Sequence, residues 1–347
     1  MTFKKLFILA LTLASTSYAA LAEVHPKTIN IGVANAGVGG RPNIGGYPLA
    51  TVHARQVLEN AFKDQGTEIK WTFLPTAGPG VNEGLSNNLY DVIWQGDLPN
   101  IIGKSAGLDT KFVIADGRAG HIQIVARPGI GINSVSDLRG KKVALFKGTC
   151  LQLSANRILA DAGLTERDLR LINMDTASAN AAIASGDIDA LFTLAAVSLP
   201  LRDRGLGQII YDGKNDNGKH GCGLGISVTR NFAEKYPEST QKLVTELLRD
   251  RLWSVNPANR DEQYRLWTRS GYSLKNYRED LDGVDLRHRF SPLLDDEFRT
   301  VYQKAIEDST RYKLVRRSVD INSWFDESYL NKAFQELGLD PADWYKQ

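Results

Sequence analysis

Lys27-Thr-Ile-Asn-Ile-Gly-Val-Ala34 is a β-rich run that leads into a glycine-dense loop over residues 35–47. Pro48 then suits the first turn of a helix that continues to Phe62. The same order of strand, loop and helix recurs, with further strands predicted over residues 68–74, 90–94 and 111–115. This alternation predicts an α/β fold built on an open, mostly parallel sheet.

A second α/β unit is predicted downstream, and the chain is largely helical from Phe232 onward. Polar or glycine-rich segments near 115–120 and 212–223 separate the two units, so we place two hinge crossings there. The sequence therefore predicts a bilobal protein with a helical C-terminal tail. The expected divisions are a signal peptide over residues 1–22, a first lobe over 23–116 and 219–347, and a second lobe over 117–218.

The N-terminus has the pattern of a secretory signal peptide. Lys4 and Lys5 precede an apolar run over residues 6–14 that is too short to span a bilayer, and Ala20-Leu21-Ala22 offers a cleavage site. We therefore expect export to the periplasm. Loss of the two lysines brings the formal net charge of +2 to neutrality. A neutral chain without a lysine-arginine run argues against a nucleic-acid partner.

Cys150 and Cys222 are the two cysteines of the chain. In an oxidising compartment a pair of cysteines invites a disulfide, but buried free thiols and thiols that contact a ligand or metal stay open as alternatives.

The five histidines are scattered, without a zinc-binding spacing. We therefore expect no metal and no cofactor. The absence of a nucleophile elbow or a Walker A loop argues against an enzyme.

Candidate ligand-binding residues follow the predicted strands, because open α/β sheets bind ligands at the carboxyl ends of their strands. Asn35 and Tyr47 bound the first loop, and Gln95, Gly96 and Asp97 follow the third strand. Asp97 suits either a contact with a donor group of the ligand or a helix cap.

Gly148, Thr149 and Cys150 precede a predicted helix, where unpaired N–H groups and the helix dipole favour an anion. A capping role alone is the alternative for Thr149. Arg118, at the first crossing, suits an anionic head group through its fork of donors, or is a solvated hinge residue.

Several motifs in order resemble the solute-binding proteins of bacterial ABC importers in the sulfonate, taurine and nitrate branch. They are Gly96-Asp-Leu-Pro99, Ser134-Val-Ser-Asp-Leu-Arg-Gly-Lys-Lys-Val-Ala144, Lys147-Gly-Thr149, the Ala-x-Ala-Ala-Ile-x-x-Gly-Asp-Ile-Asp pattern over residues 179–189, and Phe232-Ala-Glu-Lys-Tyr-Pro237. The resemblance implies a class II periplasmic-binding-protein fold that closes on a small molecule and delivers it to a membrane permease.

The resemblance also implies that the segment after Asp189-Ala190, which includes Leu194, lines the cleft. Sulfonate binders often have a tryptophan and then Trp-Asp-Pro there, whereas this chain has Leu191-Phe-Thr-Leu-Ala-Ala-Val197. We expect a monomeric receptor for a small organic anion, with a sulfonate or sulfate ester favoured. An aromatic carboxylate, pyrimidine or nitrate receptor is the alternative, followed by a periplasmic enzyme on the same fold.

Overall fold

The computed structural model describes residues 25–346, so the predicted signal peptide lies outside the described residues. Ten strands are formed: β1 (Thr28–Val33), β2 (Glu68–Phe73), β3 (Val92–Gly96), β4 (Thr110–Gly120), β5 (Ile122–Ala126), β6 (Lys142–Leu145), β7 (Arg170–Asn173), β8 (Ala190–Leu194), β9 (Gln208–Asp212) and β10 (Cys222–Thr229). Within residues 25–346, no helix has the length and apolar character needed to cross a membrane.

Fifteen α-helices occur in the described range. They are α1 (Pro48–Ala54), α2 (Val57–Phe62), α3 (Ala77–Ser86), α4 (Asp97–Ser105), α5 (Cys150–Asp161), α6 (Thr176–Ser185), α7 (Ala195–Asp203), α8 (Arg230–Lys235), α9 (Pro237–Val255), α10 (Arg260–Trp267), α11 (Leu274–Leu281), α12 (Leu286–Arg289), α13 (Asp296–Arg311), α14 (Ile321–Trp324) and α15 (Ser328–Glu336).

The strands form two five-stranded sheets with the same plan, which confirms the predicted two-lobe α/β fold. The first sheet has the order β2-β1-β3-β10-β4 and the second the order β7-β6-β8-β5-β9. In each sheet one strand, β10 or β5, is antiparallel to both of its neighbours. The carboxyl ends of the parallel strands of both sheets face the space between the lobes, where ligands of open α/β sheets bind.

The antiparallel strand of each sheet is the strand that follows a crossing between the lobes. The chain passes to the second sheet between Gly120 and Ile122 and returns to the first between Asp212 and Cys222. It therefore enters each sheet from the side of the cleft and runs against the strands already there. Strand β4 extends past residue 116, where the first segment of the first lobe was expected to end. Gly120 still pairs with Cys222 of β10.

The C-terminal helices pack onto the first sheet. Phe112 of β4 lies at the centre of an aromatic cluster, with ring-centroid distances of 4.6 Å to Phe325 and 5.1 Å to Tyr302. Trp324 and Phe298 complete the cluster, and all five side chains are buried. Aromatic burial of this extent fixes the tail as part of the first lobe rather than as an appendage.

The two lobes are in contact along one edge of the cleft. A disulfide joins Cys150, the first residue of α5 in the second lobe, to Cys222 of β10 in the first. Arg157 of α5 forms a buried ion pair with Asp308 of α13, at 2.7 Å between Nε and Oδ2. Of the three states left open for the cysteines, the structure has the disulfide. We call the lobe–lobe contact that contains this disulfide and the Arg157–Asp308 pair the closed edge.

Loss of the disulfide is expected to lower the free energy of unfolding. The bond closes a loop with a sequence separation of 72 residues, which on the chain-entropy treatment corresponds to about 4 kcal/mol. Dithiothreitol should therefore lower the melting temperature of the wild type by several degrees, measured by differential scanning calorimetry. The Cys150→Ser/Cys222→Ser variant should melt at the lower temperature and should not respond to dithiothreitol. An unchanged melting temperature in both tests would contradict this role.

Candidate functional site

A two-part cavity lies between the lobes, and its inner part adjoins the closed edge at Leu151 of α5. Its inner chamber has a volume of about 80 Å³ and its outer chamber about 600 Å³. The two share Asn35, Thr176, Ala196, Val197 and Tyr272, so they form one continuous space. A ligand entering through the outer chamber therefore reaches the inner one without crossing a wall of protein.

Three of the ten predicted site residues line this cavity: Asn35, Tyr47 and Leu194. Tyr47 is the residue before α1, and its ring packs edge-on against Trp94 with the centroids 5.2 Å apart. Burial raises the pKa of the Tyr47 hydroxyl, so this group stays protonated and able to donate a hydrogen bond at neutral pH.

Arg289 brings a buried positive charge to the inner chamber. Its side chain is 6% exposed, and its Nη1 donates to the backbone oxygen of Arg118. Its Nε has no hydrogen-bond partner within residues 25–346. Burial lowers the pKa of the guanidinium, because a charged group is less stable in a buried environment than in water. A bound anion would supply the missing acceptor for Nε.

The beginning of α7 faces the same inner chamber. Leu194 is the N-cap residue and has no capping side chain, and Ala195, Ala196 and Val197 of the first turn all line the cavity. The backbone N–H groups of a first turn lack partners within their helix, and the helix dipole makes this end electropositive. The chamber therefore combines a buried guanidinium with an uncapped helix start, and both favour an anion.

The Arg118 side chain serves the first lobe and does not reach the cavity. It lies within β4 rather than in a hinge loop and is 4% exposed. Its Nη1 is 2.8 Å from Asp295, and its Nη2 donates to the backbone oxygen of Leu293 at 2.6 Å. These partners occupy the fork of donors that the sequence analysis assigned to a ligand. The backbone oxygen of Arg118 nevertheless accepts a hydrogen bond from Arg289 and helps to hold it in place.

Gly148, Thr149 and Cys150 lie at the closed edge, outside the cavity. The predicted helix start is confirmed, with Thr149 as the residue before α5. The Thr149 hydroxyl donates to the backbone oxygen of Phe146, and the Gly148 N–H donates to Gln152 Oε1. Cys150 is in the disulfide. The Gly148 N–H and the Thr149 hydroxyl, two of the groups expected to receive an anion, thus have partners within the protein.

Gly96 explains how closely the lobes approach at this edge. A Cβ atom at Gly96 would lie 2.8 Å from the Cβ of Cys150, nearer than real side chains come. Its neighbour Gln95 is buried and donates to the side-chain oxygens of Asn82 and Asn100. Both residues therefore contribute to packing at the end of β3, and neither lines the cavity.

Asp97 is buried at the closed edge, at the start of α4. Its carboxylate accepts hydrogen bonds from the backbone N–H groups of Leu98 at 2.7 Å and Gly223 at 3.4 Å. Burial raises the pKa of Asp97 to about 6, although Arg157 of the second lobe acts in the opposite direction. Asp97 is therefore part of the contact between the lobes and not of the ligand cavity.

Comparisons with known proteins agree with this architecture. A family described as NMT1/THI5 like matches residues 98–256. A protein of Bacillus subtilis (strain 168) named for binding aliphatic sulfonates is 24% identical over 293 residues, covering 83% of this chain and 85% of that protein. The chain is similar to this protein over most of its length. An Escherichia coli (strain K12) protein of the same name is 29% identical over 183 residues, which is 52% of this chain and 54% of that protein.

A solved structure shows the same fold over most of the chain. It is titled as the periplasmic sulfonate-binding protein of a sulfonate ABC transporter from Methylobacillus flagellatus KT. It superposes with a TM-score of 0.73 at 27% identity, covering 90% of this chain and 95% of that protein. The two-lobe plan is therefore that of a periplasmic binding protein.

Sequence reasoning missed the residues that the tail contributes to the inner chamber: Ser270, Tyr272, Tyr277, Asp280 and Arg289. Their aromatic and arginine content was visible, but nothing in the sequence placed the tail against the cleft. Within residues 25–346 no cluster of three or more His, Cys, Asp or Glu side chains is arranged to hold a metal ion.

The raised pKa of Asp97 predicts a pH dependence of stability that an amide would remove. Because the folded pKa of about 6 lies above the unfolded value of 3.8, this carboxyl favours folding below pH 4, and that contribution is lost as the pH rises through 6. Relative to Asp97→Asn, the wild type should therefore lose about 2 kcal/mol of unfolding free energy between pH 4 and pH 7.

The measurement is urea unfolding of both proteins across this pH range. Asp64→Asn, which changes an exposed carboxylate, is the matched control. Its free energy of unfolding should differ from that of the wild type by the same amount at every pH. A constant difference for Asp97→Asn as well would show that the Asp97 pKa is not raised.

Proposed function

We propose that this protein is the periplasmic substrate-binding component of an ABC importer and that it captures a small organic anion in the cavity between its lobes. The observation that carries the proposal is the buried Arg289, whose Nε lacks a partner, beside the uncapped start of α7. The names of the homologues favour a sulfonate or sulfate ester as the anion. We further propose that the exported chain acts as a monomer and hands its ligand to a membrane permease.

The two chambers suit two parts of such a ligand. The acidic group fits the inner chamber, where Arg289 and α7 supply donors. The outer chamber is larger, and much of its wall is apolar, including Val38, Pro75 and Pro200. An alkyl or aryl body therefore has apolar surface to bury there.

Hinge closure is the proposed mechanism of capture. On the open side of the cleft, Arg202 of α7 pairs with Glu279 of α11, and Asp203 pairs with Lys275. These exposed pairs cross between the lobes and lie at the mouth of the outer chamber, so they can break and reform as the lobes move. A ligand that contacts both lobes shifts the equilibrium toward the closed state.

We propose binding without chemical conversion. Both cysteines are in the disulfide, which leaves no thiol nucleophile. Within residues 25–346, His121 of the inner chamber makes no hydrogen bond to a serine or threonine hydroxyl, so the described residues hold no histidine–hydroxyl pair there. Mass spectrometry of the ligand after prolonged incubation should recover it unchanged.

A thermal-shift panel tests the ligand class. It spans alkyl and aryl sulfonates, sulfate esters, carboxylates, nitrate and pyrimidines. A ligand at one hundred times its dissociation constant adds about 2.7 kcal/mol to the free energy of unfolding, which raises the melting temperature measurably. Shifts confined to neutral pyrimidines would contradict the anion proposal, whereas shifts with sulfonates or sulfate esters would support its favoured form.

Arg289→Gln is expected to weaken binding of a responding anion by tenfold or more, because it removes the buried counter-charge. Isothermal titration calorimetry measures the change. Arg316→Gln removes the same charge from an exposed position outside the cavity and should leave the affinity within twofold. Equal affinities of the Arg289→Gln and Arg316→Gln variants would exclude Arg289 as the anion-binding group.

A further inference from the structure

Helix α5 belongs to the second lobe by its place in the chain, but one of its faces packs into the first lobe. Leu153 is fully buried in a hydrophobic cluster whose other buried members, among them Leu98 and Tyr302, all come from the first lobe. Arg157, one turn further along the same face, forms the buried ion pair with Asp308 of α13. Separating α5 from the first lobe would therefore expose an apolar side chain and break a buried ion pair.

The disulfide makes this contact covalent. Cys150 lies three residues before Leu153 on the same face of α5, and its partner Cys222 is the first residue of β10. Cys222 also pairs with Gly120, next to the first crossing, so the disulfide is a third covalent link between the lobes beside the two crossings. Because a covalent bond does not lengthen, any rotation of the lobes must occur about an axis that passes close to it.

The contacts at the mouth of the outer chamber are of a different kind. The side chains of the Arg202–Glu279 and Lys275–Asp203 pairs are between 30% and 67% exposed, whereas Arg157 and Asp308 are each 6% exposed. Exposed ion pairs contribute little to stability and are screened by salt. The lobes are thus joined by a buried, covalent contact at the closed edge and by surface pairs that can dissociate at the mouth.

We propose that the disulfide is a redox-sensitive clasp, which confines opening of the cleft to the mouth while it is intact and lets the closed edge separate once it is reduced. With the bond intact, α5 stays on the first lobe and the lobes part between α7 and α11. With two free thiols, only Leu153 and the Arg157–Asp308 pair hold α5, and these contacts can break and reform. The inference rests on the hinge closure of the proposed function, but not on any ligand class.

Reduction is a two-electron exchange with a dithiol. A thiolate of the reductant attacks the sulfur of Cys150, the more exposed residue of the pair, and Cys222 leaves as a thiolate. The second thiol of the reductant then displaces Cys150 and closes a cyclic disulfide. The protein gains two electrons and two protons, and the reductant is oxidised by the same amount.

Double electron–electron resonance tests the two edges separately. Spin labels are attached through p-acetylphenylalanine, which adds no cysteine, at the exposed positions Arg167 and Lys304 across the closed edge, and at Arg204 and Arg278 across the mouth. The oxidised, ligand-free protein should give a narrow distance distribution across the closed edge and a broader one across the mouth. Sodium chloride at about 1 M should shift only the mouth distribution to longer distances.

Dithiothreitol should broaden the closed-edge distribution of the wild type toward longer distances. The Cys150→Ser/Cys222→Ser variant should show the broad distribution with and without dithiothreitol, and circular dichroism checks that both proteins remain folded. Leu153→Ala weakens the packing of α5 but keeps the disulfide. This matched control should retain the narrow closed-edge distribution under oxidising conditions.

The outcomes separate this inference from the proposed function. A closed-edge distribution that broadens with salt in the oxidised protein, or that reduction leaves unchanged, overturns the clasp and leaves hinge closure standing. Narrow distributions across both edges under every condition overturn hinge closure as well. Because the salt comparison uses the oxidised wild type, it decides where the cleft opens even if the reduced protein unfolds.

Discussion

A fully buried ion pair between Asp116 of β4 and Arg251 of α9 joins the sheet of the first lobe to the C-terminal helices. Each side chain is 1% exposed. Arg251 also donates to the backbone oxygens of Ala115 and Phe290, and the second oxygen of Asp116 accepts from Trp94 Nε1 at 2.6 Å. A buried pair is tolerated when such additional hydrogen bonds satisfy most of its remaining donors and acceptors, and here Arg251 Nε is left without a partner among residues 25–346.

Two parts of the first-lobe wall of the inner chamber depend on this pair. Trp94, held by Asp116, is the surface against which the Tyr47 ring packs. Phe290, whose backbone oxygen is bound by Arg251, directly follows Arg289 in the chain. The same interaction therefore sets the position of an N-terminal loop residue and of the buried cation from the tail. A shift of α9 relative to β4 would move Tyr47 and Arg289 together.

The sequence was sufficient for the lobes but not for the site, and Arg118 and Arg289 show why. Strand and helix periodicity is local, so the alternating strands and helices could be assigned from the sequence. The starts of β4 and α5 could be placed in the same way. The pairing of Arg118 with Asp295 joins residues 177 positions apart, and no local pattern reports it. The position of Arg289 in the inner chamber could not be predicted for the same reason, since it depends on where the tail packs. The antiparallel strand in each sheet likewise follows from the crossings and not from its own sequence.

The two helices that follow β6 and β8 show how tertiary contacts decide between equivalent local motifs. Both α5 and α7 begin after a parallel strand of the second sheet, and both first turns point toward the other lobe, so either is suited to an anion. At α5, Gly96 admits the Cys150 side chain, and the disulfide with Cys222 draws the lobes into contact. Protein fills the space in front of Cys150, and the first turn of α5 reaches the inner chamber through Leu151. At α7, the opposing wall is formed by the glycine-rich loop after β1 and by the tail, which leave a chamber open in front of Ala195 and Ala196. The position of the proposed anion site therefore follows from which helix start remains uncovered once the tail has packed.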